Sequence, residues 1–246
     1  MLKQISKETA NRFCGLIIGP AGIGKTSLLR TILGQEFDDA SRTWRQVSEP
    51  EGLVCTLSAE AGLLCVRDLV AAGRIEGFEI SSFQDLREAI TALQDAEAVQ
   101  RYRWVFVDSL TEIASRCVEA MKTKYPSGGD SFKMWGEYND QMTYIIKALR
   151  DMTQYNVVLT CLESVELDEN KRRFIAPMIS GTSVKERLTS YFDEVFHVET
   201  VMDEQGVAHR VFNTASPIGL SKDRSGMLDA LEAPNLLSVF RKIMNQ

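Results

Sequence analysis

Gly19-Pro20-Ala21-Gly22-Ile23-Gly24-Lys25-Thr26, followed by Ser27, has the residue types and spacing of a phosphate-binding loop, the Walker A pattern. Backbone N–H groups can crowd around phosphate oxygens only where no side chain intervenes, which is the work of glycines at such spacing. A helix starting at the end of the loop would aim its positive end at the same phosphates. Lys25 is then expected at the β and γ phosphates, and the Thr26 hydroxyl on a magnesium ion. In a chain of this composition the pattern arises by chance roughly 0.006 times, so the match is specific.

Phosphate chemistry needs carboxylates as well. Asp108 closes the apolar run Trp104-Val105-Phe106-Val107 and is expected to hold magnesium through water. The alternative for Asp108 is a helix cap, and for Ser109 either a polar contact or an N-cap. Glu60 follows the run Leu53–Leu57 and is expected to orient the attacking water; the alternative is an exposed acid favoured by a helix dipole. Glu163 follows the run Val157–Cys161 in an analogous position, as a sensor of the γ phosphate or as a solvated loop residue.

The elements that must position these groups can be read from the same pattern. Phe13–Ile18, Leu53–Leu57, Trp104–Val107 and Val157–Cys161 are nearly continuous apolar runs, as expected of strands buried on both faces of a parallel sheet. Helices are expected over Lys25–Leu33, near Leu63–Ala72, and over Asp85–Leu93, Leu110–Lys122, Tyr138–Met152, Ser183–Ser190 and Leu236–Met244. A short strand is expected at Phe78–Ile80. Val195–Val198 and Val207–Phe212 flank Asp203-Glu204-Gln205-Gly206 as an antiparallel hairpin. Residues 35–51 read as an irregular surface insertion, 163–181 as a long loop, and Tyr125–Asp130 and Pro217–Gly226 as turn-rich segments. Strands alternating with helices predict one α/β domain over residues 1–246, a mostly parallel sheet flanked by helices, with its core over about 12–226 and a last helix at about 234–245.

The 246 residues are 44% hydrophobic and 25% charged, which excludes a disordered or collagen-like chain. With Lys+Arg 28 against Asp+Glu 34 the net charge is −6, so any nucleic-acid contact must come from a local strip. No run approaches the ~20 apolar residues of a membrane span, and MLKQISKETANR lacks the apolar core of a signal peptide. The five cysteines include no Cys-x-x-Cys pair; four lie in or beside apolar runs and are expected to be buried thiols. His197 and His209 lie far from any cysteine pair, which disfavours structural zinc. These features predict a cytoplasmic protein.

The Asp108-Ser109 pair closing one strand, with Glu60 at the end of the strand after the phosphate-loop helix, resembles the RecA/RadA superfamily of recombination ATPases. Many AAA+ proteins instead place Glu directly after the strand-ending Asp, where this chain has Ser109. Lys222-Asp223-Arg224-Ser225-Gly226 is similar to the Lys-Asn-Arg-Phe-Gly motif of bacterial RadA, with Asp and Ser as departures. The chain most resembles compact phage ATPases of this superfamily associated with single-strand annealing and recombination. The resemblance covers about residues 12–226 and is sharp at these motifs. It implies a RecA-like core, ATP with Mg²⁺, and a homo-oligomer in which Lys222 and Arg224 reach the nucleotide of the neighbouring subunit. The alternative for these two is a pair of exposed basic residues neutralised by Asp223. With some twelve residues before the first strand, little room is expected for the polymerisation arm of larger recombinases.

Two regions interleave cations with aromatics, which suits single-stranded DNA because cations track phosphates while rings stack on bases. One, about 122–135, holds Lys122, Lys124, Tyr125, Gly128, Gly129, Phe132, Lys133 and Trp135. The other, about 170–187, holds Lys171, Arg172, Arg173, Phe174, Lys185 and Arg187. The resemblance implies that they line a DNA channel; the plainer alternative is rings packed on the core and a solvated basic tip. The function expected is a magnesium-dependent ATPase that binds single-stranded DNA and assists recombination or annealing, with single-strand-binding or annealing proteins as possible partners. An ATP-gated switch or loader acting on a protein partner is the alternative. A small-molecule kinase is disfavoured because no arginine-rich lid is visible.

Overall fold

The apolar runs lie in a central sheet whose chain course can be followed strand by strand. The structure, a computed structural model, describes residues 12–38, 41–60, 62–126, 130–167, 169–171, 173–216 and 220–245. Strand β1 (Cys14–Gly19) leads through the glycine-rich turn to helix α1 (Leu28–Ile32), a hairpin of β2 (Gln35–Asp38) and β3 (Thr43–Gln46), and then β4 (Leu53–Ser58). A 3₁₀ turn runs into α2 (Arg67–Ala71), followed by β5 (Ile75–Glu79), α3 (Phe83–Ala92), α4 (Ala96–Arg101) and β6 (Tyr102–Asp108). Two long helices, α5 (Leu110–Lys124) and α6 (Ser131–Arg150), precede β7 (Asn156–Leu167), β8 (Arg173–Pro177) and α7 (Thr182–Arg187). The chain ends in β9 (Glu194–Met202), β10 (Ala208–Asn213), two-residue strands β11 (Lys222–Asp223) and β12 (Leu231–Glu232), and α8 (Leu236–Ile243).

In space the order is β12-β10-β9-β1-β7-β6-β4-β5. From β5 to β9 every neighbouring pair is parallel. Beyond β9 the pairing turns antiparallel, through β10 and β12. β7 stands between β1 and β6, so Gly19, Ser58, Asp108 and the end of β7 come to the same carboxyl edge. Open parallel sheets bind ligands at that edge.

Both faces of the sheet are covered, which is why its strands read as unbroken apolar runs. Leu16, Ile18, Leu57, Val107 and Leu159 pack under α3, α5 and α6. Ile17, Trp104, Phe106, Val158 and Phe196 pack on the other face under α1 and α8. α8 buries Leu236, Leu237, Val239 and Phe240, and Phe240 meets Trp104 edge-on at 5.1 Å. At about 1.5–3 kcal/mol for each fully buried side chain, that stripe is ample to dock an eight-residue helix. Cys14, Cys55, Cys117 and Cys161 are buried free thiols, and Cys65 is exposed. Among the described residues no helix is long and apolar enough to cross a membrane.

Several expectations need correction. The irregular insertion at 35–51 contains the β2–β3 hairpin, in which Phe37 stands opposite Trp44. The long loop at 163–181 is a second hairpin: β7 runs on past the sheet to Leu167 and returns as β8. β2 and β3 each carry a single aromatic among polar residues, and the outer part of β7 and β8 are short and only partly buried, so neither hairpin gives the long apolar run that marks a buried strand. The helix expected from Lys25 is α-helical only from Leu28, because Leu28, Leu29 and Arg30 bond three residues back to Lys25, Thr26 and Ser27 in a tighter winding. α6 starts seven residues earlier than expected, where Asp130 caps it by accepting from the Lys133 N–H at 3.1 Å. Phe132, Lys133 and Trp135 therefore lie on the first turns of a helix, not in a loop. Gly128, Gly129, Arg172 and Pro217 lie outside the described residues.

Candidate active site

Gly19 ends β1, and the chain then turns through Pro20–Ser27. Gly22 (φ 77°) and Gly24 (φ 99°) occupy the left-handed region that only glycine enters freely. A Cβ on Gly22 would stand in open space; one on Gly24 would come within 2.6 Å of the Arg210 guanidinium. Ala21 is exposed and Ile23 half-buried, so the turn presents its backbone. Lys25 folds back over the loop and is buried; its Nζ donates to the carbonyls of Gly19 (3.0 Å) and Pro20 (2.8 Å).

Asp108 sits at the end of β6, 2% exposed. Thr26 Oγ1 donates to its Oδ2 at 2.6 Å, and Thr160 Oγ1, from the intervening strand β7, donates to its Oδ1 at 2.5 Å. Burial raises the Asp108 pKa, opposed by those two hydroxyls and by Lys25, while the Glu60 charge adds to the rise. Burial likewise lowers the Lys25 pKa, opposed by Asp108 and Glu60. Both charges are thus held where each is disfavoured, the condition a ligand carrying both signs would relieve: phosphate for the lysine, a hard divalent cation for the carboxylate and hydroxyl oxygens. The donor set fits magnesium with a nucleoside triphosphate, and magnesium would be held by Thr26 and Asp108.

Glu60 lies just past β4 and is exposed, but its segment is tethered. Ala59 N–H donates to the Asp108 carbonyl at 2.7 Å, and Ser109 Oγ donates to Glu60 Oε1 at 2.5 Å. Ser109 also caps α5, accepting from the Glu112 N–H at 3.4 Å, so the two roles foreseen for it coexist. The Asp108–Ser109 peptide is cis. Glu163 Oε2 lies 2.7 Å from Nε2 of His197, whose residue pairs with Ile18 in the neighbouring strand.

Lys222 and Arg224 are not part of this cluster. Asp223 pairs with Glu194, which stands opposite Gly15 near the start of β1. About 13 Å of strand separates that level from Gly19. Lys222 Nζ donates to the Thr189 carbonyl at 2.9 Å, and Arg224, largely exposed, pairs with Asp193 at 2.5 Å, not with Asp223. Asp223 instead accepts from Ser225, Gly226 and Leu228.

The cation-rich regions are placed as follows. Lys122 is exposed near the end of α5, and Lys124 pairs with Glu137 at 2.5 Å. Lys133 is exposed on α6 beside Phe132, which is 90% exposed. Lys171 (φ 59°) is at the tip of the β7–β8 hairpin, Arg173 is exposed, and Phe174 is half-buried opposite Glu166. Lys185 pairs with Glu166 at 2.6 Å. Tyr138 on α6 donates to the Ser180 carbonyl at 2.8 Å and meets Trp135 edge-on, so the two regions are neighbours.

Thr160 is the site residue that the sequence reading passed over. Its signal was present: one hydroxyl inside the otherwise apolar run Val157–Cys161, next to the strand's carboxyl end.

No curated protein matches the chain in sequence. Among solved structures it is similar to the flagellar accessory protein FlaH from Methanocaldococcus jannaschii, at 10% identity over 89% of this chain and 83% of that one, with a TM-score of 0.44. Residues 11–225 match the protein family described as "AAA domain". That match takes in the glycine turn, both carboxylates and the whole parallel sheet, and the chain belongs to this family of P-loop ATPase domains.

Proposed function

We propose that the protein is a magnesium-dependent ATPase whose oligomer binds single-stranded DNA and assists recombination or strand annealing. The observation that carries this reading is the meeting, at one sheet edge, of a glycine-hinged amide turn, a buried lysine and an aspartate bonded to Thr26 and Thr160. The turn Gly19–Ser27, through the backbone N–H groups of residues 21–27 and the Lys25 ammonium, holds phosphate oxygens. Thr26 and Asp108 hold magnesium, which when bound offsets charge developing on the transferred phosphoryl group. Glu60 orients a water molecule and takes up its proton, and the Ser109 hydroxyl fixes the rotation of that carboxylate.

Lys222 and Arg224 are too far along the sheet to serve their own cradle, which favours their acting on the nucleotide of an adjoining copy. Cations delivered there are worth ~10³–10⁵ in rate. For DNA, support comes from Lys122, Lys124, Lys133, Lys171, Arg173 and Arg172 with the rings of Phe132, Trp135 and Phe174, and from the RecA/RadA resemblance. A second reading, an ATP-gated switch acting on a protein partner, is favoured by Val165 and Leu167, which stand 64% and 63% exposed on the β7–β8 hairpin.

The test is ATP turnover with and without single-stranded oligonucleotides, paired with mass measurement in ATP. Lys25→Ala is expected to abolish turnover, and Glu60→Gln to lower it about 10²-fold or more while ATP still binds. DNA binding is expected to tighten with ATP and weaken steeply with salt. Turnover that survives Lys25→Ala overturns the site. Turnover and assembly indifferent to DNA, with no gel shift, favour the switch.

A further inference from the structure

Beside the phosphate turn, on the side of Gly24, Ser27, Leu28 and Thr31, lies a cavity of about 220 Å³. That is several times the roughly 30 Å³ share of one liquid water. No motif in the sequence pointed to it, and the phosphate chemistry described above does not use it. Its outer wall is the β2–β3 hairpin, which contributes Phe37, Trp44 and Glu36; the far wall is Arg210 on β10 and the Ala233–Asn235 segment before α8.

These walls are tied to one another and to the phosphate turn. The hairpin grows directly from the end of α1, where Val47 and Ser48 donate to the Gly34 carbonyl and the Gln46 side chain donates to the Leu33 carbonyl at 2.7 Å. Phe37 and Trp44 meet edge-on at 5.4 Å. The Arg30 guanidinium stands 5.5 Å from the Trp44 ring and is itself held by Gln35 and Asp68. Arg210 spans the gap: it lies 5.7 Å from the Phe37 ring and donates to the Ile23 carbonyl in the phosphate turn at 3.3 Å. Asn235 donates to Glu36 at 2.9 Å, and Leu236 N–H donates to Thr31 at 3.0 Å.

We propose that this cavity is the nucleobase site, in which the base of a bound nucleoside triphosphate stacks against Trp44 and Phe37 under the Arg210 guanidinium. The inference rests on the triphosphate reading of the neighbouring turn. Three observations carry it: the cavity opens beside Gly24 and Ser27, its walls combine rings with a guanidinium plane, and those walls are cross-bonded before any ligand arrives. Flat aromatic ligands are held by such surfaces, and a base attached to phosphates in the turn has this cavity within reach.

The test compares equilibrium binding of ATP with that of inorganic tripolyphosphate, both with Mg²⁺, for the wild-type chain, Trp44→Leu and Trp44→Phe. Wild type is expected to bind ATP at least tenfold more tightly than tripolyphosphate. Trp44→Leu is expected to weaken ATP at least fivefold and leave tripolyphosphate within twofold, and Trp44→Phe to recover most of the loss. Phe37→Leu gives the same separation if Trp44→Leu does not fold. Equal ATP and tripolyphosphate affinity in wild type, or a loss in Trp44→Leu shared equally by both ligands, overturns the base site while leaving the phosphate site standing. Failure of wild type to bind either ligand overturns the triphosphate reading itself.

Discussion

Asp108 receives hydroxyl hydrogen bonds from the phosphate turn and from strand β7, and the pair is unequal in purpose. In the proposed magnesium site Thr26 would exchange its contact for the metal ion, whereas Thr160 is buried and among the described residues has no other acceptor except the Val107 carbonyl at 3.4 Å. Thr160 thus orients the carboxylate, as second-layer partners of metal ligands do. Thr160→Val, nearly the same in shape, is expected to lower turnover about 10–100-fold and to raise the magnesium concentration needed for half-maximal rate. Thr160→Ser should recover most of both, and a magnesium requirement unmoved by Thr160→Val would refute the assignment. Lys25, Thr26, Asp108 and Glu60 were legible in the sequence because phosphate chemistry demands their types at the ends of apolar strands. Trp44, Phe37 and Arg210 were not, since ring stacking imposes no spacing and these three come from a hairpin and a strand over 160 residues apart.

At the scale of elements, the start of β9 carries an unusual load. Glu194 is buried, accepts one bond from the Ser225 N–H at 3.1 Å, and its Oε2 has no donor among the described residues. Burial, then the nearby Asp223 charge, push its pKa up to about 8. Asp223 stays low, because bonds from Ser225, Leu228 and Gly226 outweigh its own burial. The unfolded chain gives up the Glu194 proton near pH 4.5, but the folded chain keeps it until about 8. Across that window the folded state binds more protons, so stability falls as pH rises, by roughly 1.4 kcal/mol per unit at most. Glu194→Gln is expected to flatten this decline. Urea midpoints at pH 5 and pH 8 that fall equally in variant and wild type would exclude the effect.

The same elements mark what hydrophobic patterning can convey. The inner parallel strands declared themselves because burial on both faces leaves their runs almost wholly apolar, as in Leu16–Ile18 or Val105–Val107, whereas edge strand β5, exposed over most of its length, was expected at Phe78–Ile80 and lies at Ile75–Glu79. β2, β3 and the outer half of β7 did not declare themselves, since exposed short pairs are set by their partners across the ladder, and Phe37 opposite Trp44 cannot be inferred from either strand alone. The start of α6 was hidden for another reason: Asp130 caps it, but in the following turn only Met134 is half-buried against the core, among exposed Ser131, Phe132, Lys133 and Trp135, and its spacing to Tyr138 and Met142 is masked by the exposed rings.

For the whole molecule, the proposed sharing of a nucleotide between copies makes a strict prediction. Lys25→Ala ruins the chain's own cradle but leaves Lys222 and Arg224 able to serve another; Arg224→Ala does the reverse. Each variant alone is expected to be nearly inactive, whereas an equimolar mixture regains up to about a quarter of wild-type turnover, the fraction of interfaces that unite two sound halves under random assembly. A mixture no faster than the mean of its parts would remove the shared site. With a net charge of −6, nothing in the bulk electrostatics draws nucleic acid to a single chain.

The placement of the Lys222–Arg224 turn at the amino edge of the sheet, and of the glycine turn at the carboxyl edge, gives such contacts a direction. A contact in which one copy's tail meets the next copy's head passes on from copy to copy, whereas a two-fold pair meets both ends only by lying side by side and antiparallel. In a closed circle every junction is equivalent. In an open stack one terminus holds a nucleotide that no neighbour completes, and the far terminus offers a cation to nobody. Rate per chain would then climb with stack length toward a plateau, while a circle of fixed membership would keep a constant rate once formed.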